Sequence, residues 1–275
     1  MPRSLRLLPI LFAAIAFGWV YLTSETFTNP ETGKKAHVGL SDTQEQQLGL
    51  QSFREVVSES NLVQSGPAYE LVRKVAARLI RVVDTGSRQY QWQVAVVENP
   101  AANAFCLPGG KIVVYTGILP ITQNEAGLAT VMGHEIAHAT SRHGAQRVFQ
   151  QNAMQIAMMG VQGSMADMDY GARQQVLGLL GAGAQYGVLL PFSRKHELEA
   201  DRIGLKYMAR AGYDPREAIA FWERMKEASQ GKKPPEIAST HPADETRIRQ
   251  LQELMPAAFE EYRKATGSSA NGWGQ

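Results

Sequence analysis

The chain has 275 residues and a formal net charge of +2, enough length for one large domain or two small ones around a sizeable core. Its basic residues are scattered and carry no nucleic-acid motif, which argues against nucleic acid as a partner. Its single cysteine, Cys106, excludes an internal disulfide and a cysteine-rich zinc ribbon, so any metal must be held by histidines and carboxylates.

The N-terminus carries Arg3 and Arg6 and then an uncharged run from Leu7 to Thr23, the pattern of a signal peptide or a short membrane anchor. Ala14-Ile15-Ala16 resembles a cleavage site, but apolar residues continue past it, which favours an uncleaved anchor over residues 1–23. The flanking arginines imply export of the chain beyond Thr23. Residues 24–40 are polar, contain Pro30, Gly33 and Gly39, and read as a linker. Ser41 and Gln44 form a capping-box signature for a helix from Asp42 to about Ser58. Leu71, Val72, Val75, Leu79 and Val82 keep helical spacing in a second helix, Pro67 to about Val83. After Gly86 the period changes to two: YQWQVAVVE, ANAFC and KIVVYTG read as strands of a small sheet, with Pro108-Gly109-Gly110 as a turn.

A long helix that Asn124 could cap then runs through LATVMGHEIAHATSRHGAQRVFQ. Gly133 inside it costs about 1 kcal/mol relative to Ala, which predicts a second backbone close by. Residues 152–170 form a less regular stretch with five methionines, read as core filler rather than a mobile cover. An apolar helix from about Ala172 to Leu190 follows, and the tail GSSANGWGQ, residues 267–275, reads as disordered.

His134 and His138 are four apart and therefore share one helix face, where both imidazoles can meet one ion. Glu135 lies roughly 100° round the helix, placed to act on a water at that ion without ligating it. A site with three protein ligands and an open position needs one more donor from an element packed against this helix. HELEAD supplies it: Glu197 and Asp201 share a face that continues into Gly204, Leu205 and Met208, and a buried carboxylate needs a partner. Glu197 is read as the third ligand and Asp201 as the acid orienting one imidazole. Glu199 points elsewhere. His143 lies off the ligand face and reads as structural. A metzincin arrangement fails, because Ser141 and Gly144 stand where it needs Gly and a third His.

His134-Glu135-x-x-His138, Glu197-x-Glu199-Ala200-Asp201, Ser239-Thr240-His241-Pro242 and Arg247-Ile248 together resemble the gluzincin metallopeptidases of family forty-eight over roughly residues 28 to 255. The resemblance implies an α+β, mainly α-helical zincin-like fold with a small sheet beside the active-site helix, spanning residues 41–266. It implies one Zn2+ on His134, His138 and Glu197, with Glu135 as general base and Asp201 in support. His241 matches a histidine that stabilises the tetrahedral intermediate or fills the open position at rest; without the resemblance it reads as an exposed loop histidine. The strand around Ala104 to Val114 resembles the edge to which substrates add as a further strand. The chain departs from the prenyl proteases of that family: no apolar run after Thr23 reaches the ~18 residues of a span. The activity expected is zinc-dependent endoproteolysis of unfolded or damaged envelope proteins, on the periplasmic side of a bacterial inner membrane or free in the periplasm if the signal is removed. The alternative is a latent zinc protein acting as a chaperone or adaptor. Cys106, on the proposed substrate segment, reads as a packed hydrophobe.

Overall fold

The computed structural model describes residues 7–166, 168–172, 174–175, 194–230, 235–241 and 245–267. The expected apolar helix of residues 172–190 lies almost wholly outside these, and so does the tail from residue 268. In chain order the elements are α1 (Leu8–Thr23), β1 (Glu25–Thr28), β2 (Lys35–Val38), α2 (Asp42–Glu59), α3 (Pro67–Ile80), β3 (Gln93–Val97), β4 (Ala104–Leu107) and β5 (Lys111–Tyr115). They continue with α4 (Leu119–Thr122), α5 (Glu125–Thr140), α6 (His143–Ser164), α7 (Arg194–Arg210), α8 (Glu217–Ser229), α9 (Glu236–Thr240) and α10 (Glu245–Thr266). This is the mainly helical α+β architecture that the resemblance implies.

Local chemistry accounts for the helix starts. Ser41 accepts from the Gln44 backbone while the Gln44 side chain accepts from the Ser41 N–H, completing the capping box of α2. Pro67 opens α3, where its missing N–H costs nothing. Asn124 caps α5 by accepting from the Gly127 N–H at 2.8 Å.

α5 is the centre of the molecule and is buried on almost every side from Gly127 to Thr140. It packs on α7 where two glycines face each other: a Cβ on Gly204 would lie 2.8 Å from the His134 nitrogen, and one on Gly133 would lie 3.0 Å from the Gly204 oxygen. The close backbone foreseen from Gly133 is therefore α7. α3 and α8 pack on α5 with Leu79, Leu128, Phe221 and Trp222 in one apolar core. The three-stranded sheet has the order β3-β5-β4, with β3 parallel and β4 antiparallel to β5. On the side of the expected substrate segment its edge is thus β4 alone. β5, included in the expected edge, is the central strand.

Three expectations change. Residues 24–40 are not a linker: β1 and β2 form an antiparallel hairpin from Glu25↔Val38 to Thr28↔Lys35, with Phe27 and Val38 buried with Ala145 of α6. The helix carrying the motif is broken at Arg142, which sits in the left-handed region at φ 54°. That conformation is costly for a non-glycine residue. Its buried guanidinium compensates: Nε meets Glu45 Oε2 at 2.5 Å, Nη2 donates to the Leu40 carbonyl at 2.7 Å, and Nη1 pairs with Glu25. The methionine stretch is helical as far as Ser164. It is not core filler, since Met154, Met159 and Met168 are exposed and only Met165 is buried.

α1 lies along α6, with Ala13 over Gly160 and Pro9 over Gly163. The other face of α1 exposes Leu11, Phe12, Ile15, Trp19 and Leu22. Among the described residues no helix is long and apolar enough to cross a membrane. The 16 residues of α1 span about 24 Å at 1.5 Å each, short of a ~30 Å hydrocarbon layer.

Candidate metal centre and active site

α5 presents His134, Glu135 and His138, α7 presents Glu197 and Asp201, and His241 caps the C-terminal end of α9. One donor atom from each of His134, His138, Glu197 and His241 lies within 4.8 Å of the others. His138 Nε2 is 3.1 Å from His134 Nε2 and 3.3 Å from Glu197 Oε1, while Glu197 Oε2 is 3.4 Å from His134 Nε2. His241 Nδ1 lies 3.0 Å from both carboxylate oxygens of Glu197 and 3.2 Å from His134 Nε2. His241 is thus a buried member of the cluster, not an exposed loop residue.

The donor chemistry fits a metal. Imidazole nitrogens that face one another and a carboxylate in a dry site need shared protons or a cation between them, because their lone pairs otherwise repel. Three imidazoles and one carboxylate are a donor set suited to a borderline-soft divalent ion. Burial pushes His138 well below the ordinary histidine range, which keeps it neutral and able to ligate. Burial and Arg247 oppose the protonated form of His134, but Asp201 and Glu197 outweigh them and raise it. Burial would raise Glu197, yet the three imidazoles bonded to it hold the carboxylate far below its usual value.

Around the cluster the other predicted residues take separate places. Asp201 Oδ1 is 2.9 Å from His134 Nδ1, directly behind the ring. Glu135 is buried, its Oε1 makes no hydrogen bond among the described residues, and His241 Nε2 is 3.5 Å away. Burial, its largest influence, raises the Glu135 carboxyl to about 7. Glu135, His138 and His241 line a cavity of about 370 Å³ together with Phe105, Cys106 and Leu107 of β4. Burial pushes the Cys106 thiol upward, so it stays a neutral thiol.

Two groups escape a reading of the sequence. Arg247 belongs to the motif but has no role assignable from it; its Nη2 donates to Asp201 Oδ1 at 2.6 Å and its Nη1 reaches Glu197 Oε2 at 3.1 Å. The guanidinium lies 3.4 Å from the centroid of the buried Trp222 ring, a stacked cation that fixes both acids. His143 is off the ligand face as expected, but its Nδ1 lies 3.0 Å from His138 Nδ1.

Comparison with known proteins gives the family. Residues 69–255 match the model of Peptidase family M48. The chain belongs to that family. It is 36% identical over 262 residues to the mitochondrial metalloendopeptidase OMA1 of Schizosaccharomyces pombe, covering 94% of this chain and 74% of that protein. The Saccharomyces cerevisiae protein of the same name is 30% identical, with 94% and 78% covered. The β-barrel assembly-enhancing protease of Escherichia coli is 30% identical over 88% of this chain, and the match covers 50% of that protein. Membership of family M48 bears out the expected metalloendopeptidase class.

The expected bacterial periplasmic location is corrected by the same comparison, because the relatives matched over most of their length are named as mitochondrial. A charged start followed by an apolar run reports export in general terms and does not name the compartment.

Proposed function

We propose that this chain is a zinc-dependent endopeptidase that cleaves extended segments of unfolded or damaged proteins, with His134, His138 and Glu197 as metal ligands. The observation that carries the reading is Glu135: a buried carboxylate with an oxygen unbonded among the described residues, beside a four-donor cluster and lining a cavity shared with the edge strand β4. Bound in the cluster, zinc supplies Lewis-acid polarisation of the scissile carbonyl and lowers the pKa of a water toward ~7. Glu135 would serve as the base for an attacking water and pass its proton to the leaving amine; a carboxyl raised to about 7 exchanges protons readily near neutrality. His241 Nε2, 3.5 Å from Glu135, stands on the cavity wall where it can donate to the charge developing on the carbonyl oxygen. Asp201 holds the proton of His134 on Nδ1, leaving Nε2 directed at the metal position.

β4 supports an extended substrate, since a strand exposed at a sheet edge pairs through the backbone and is indifferent to most side chains. A chain must be locally unfolded to lie along it. The test is digestion of a casein-like unfolded protein and of a tightly folded one by wild type and Glu135→Gln. Wild type is expected to cut the unfolded protein and spare the folded one, with the variant slower by about 10²–10⁴-fold at unchanged zinc content. Cleavage by Glu135→Gln at the wild-type rate would remove Glu135 from the role of base.

A further inference from the structure

The ring of His138 is fixed by what stands behind it. With Nε2 turned into the donor cluster, 3.3 Å from Glu197 Oε1, a neutral imidazole that ligates through that atom must carry its proton on Nδ1. The atom facing that proton is His143 Nδ1 at 3.0 Å, so His143 accepts there and carries its own proton on Nε2. His143 Nε2 in turn faces Glu199 Oε2 at 3.7 Å. Glu199 is held by the N-terminal hairpin: Oε1 accepts from Thr32 Oγ1 at 2.9 Å and from Asn29 Nδ2 at 3.1 Å, and Oε2 lies 3.8 Å from Lys34 Nζ. The Asn29 amide also donates to Ser141 Oγ at 2.9 Å, at the end of the helix that bears the ligands. His143 is fully buried and stacked on His196, with centroids 4.3 Å apart. His196 Nε2 meets Gln146 Oε1 at 3.1 Å, which holds the stack from its far side.

The arrangement parallels His134 with Asp201 and Arg247. One ligand imidazole has a carboxylate directly behind it; the other reaches its carboxylate through an intervening imidazole. The direct pair is built from α7 and α10. The longer chain ends on the β1–β2 hairpin, which lies outside the stretch matched by the family model, residues 69–255.

We infer that His143 and Glu199 are positioning residues for the ligand His138, and that the hairpin, through Thr32 and Asn29, holds them in register. The inference rests on the zinc reading proposed above. Its chemistry is specific: His143 must offer an acceptor to the His138 N–H, so a side chain of similar volume without an acceptor fails and an amide succeeds.

The experiment is zinc release from the full-length, zinc-loaded chain into excess chelator, followed with a colorimetric zinc indicator, alongside circular dichroism to confirm folding. His143→Phe, which keeps the ring stack but lacks an acceptor, is expected to weaken zinc retention about 10–100-fold. His143→Gln should restore most of it through its amide oxygen. Glu199→Gln and Thr32→Val should each release zinc several-fold faster than wild type. If His143→Phe does not fold, these last two variants decide the matter. Folded variants that all release zinc at the wild-type rate overturn the inference while leaving the zinc reading intact. A folded wild type that takes up no zinc overturns both.

Discussion

At the scale of single residues, the proposed site gives each candidate ligand imidazole one proton position. Asp201 accepts from His134 Nδ1 while Arg247 fixes the same oxygen at 2.6 Å, so the imidazole is oriented by a carboxylate that cannot rotate freely. Asp201→Asn keeps the shape but removes the charge that both partners need. Its expected effect is a metal affinity lower by about 10–100-fold, measured by chelator competition; unchanged affinity would reduce Asp201 to a packing role. Glu199 makes a pH prediction. Burial opposes its charge, but the His143 imidazole facing it and the hydrogen bond from Thr32 bring it down to about 2, from an unfolded value of 4.5. A carboxylate lowered in the folded state contributes stability above its unfolded pKa and loses it as pH falls through the folded one. The thermal midpoint of wild type should therefore drop between about pH 4.5 and 2 more steeply than that of Glu199→Gln.

Much of the candidate site is legible in the residues, because the spacing of candidate ligands along one helix face is a local property. His134, Glu135 and His138 follow from helix periodicity, and Glu197 with Asp201 from a shared apolar face. Arg247, His143 and Glu199 gain their roles only in the fold, since each depends on partners more than 40 positions away or on a helix break. No local pattern encodes such a contact.

At the scale of elements, the glycine pair sets the site. Gly133 and Gly204 let α5 and α7 approach until a Cβ on Gly204 would stand 2.8 Å from a backbone nitrogen. Gly204→Ala should gain helix propensity of up to ~1 kcal/mol yet lose about 1–3 kcal/mol to overpacking. Because α7 carries Glu197, the separation should also loosen the metal. A midpoint in urea equal to or above that of wild type would contradict this. Gly133→Ala, with its nearest contact at 3.0 Å, should cost less.

Element boundaries are readable where caps announce them, at Ser41, Pro67 and Asn124. The hairpin is hidden because Glu25–Thr28 offers one apolar side chain in four, and Pro30 and Gly33 mimic a linker. The turn at Arg142 carries neither Gly nor Pro. Its left-handed backbone is sustained by Glu45, Glu25 and the Leu40 carbonyl, all distant in sequence and invisible to a local reading.

At the scale of the whole molecule, one cavity is lined both by residues of the edge strand β4 and by Glu135, His138 and His241. In the proposed mode a strand added to β4 would lie beside Glu135 and His241, which line the same cavity. The zincin-like class comes from the resemblance; a small sheet next to helices is legible because alternating strands and amphipathic helices declare themselves. The compartment is not, because an apolar N-terminal helix has the same chemistry wherever it is made. The proposed chemistry depends above all on His134, His138 and Glu197 holding a metal. That is best tested by zinc content and zinc K-edge absorption of the full-length chain, for wild type and for His134→Ala/His138→Ala. Wild type should carry about one zinc per chain, with imidazole and carboxylate ligands at about 2.0–2.2 Å, and the variant none. Equal zinc in both proteins, or a sulfur-ligated ion, would show that these residues do not hold it.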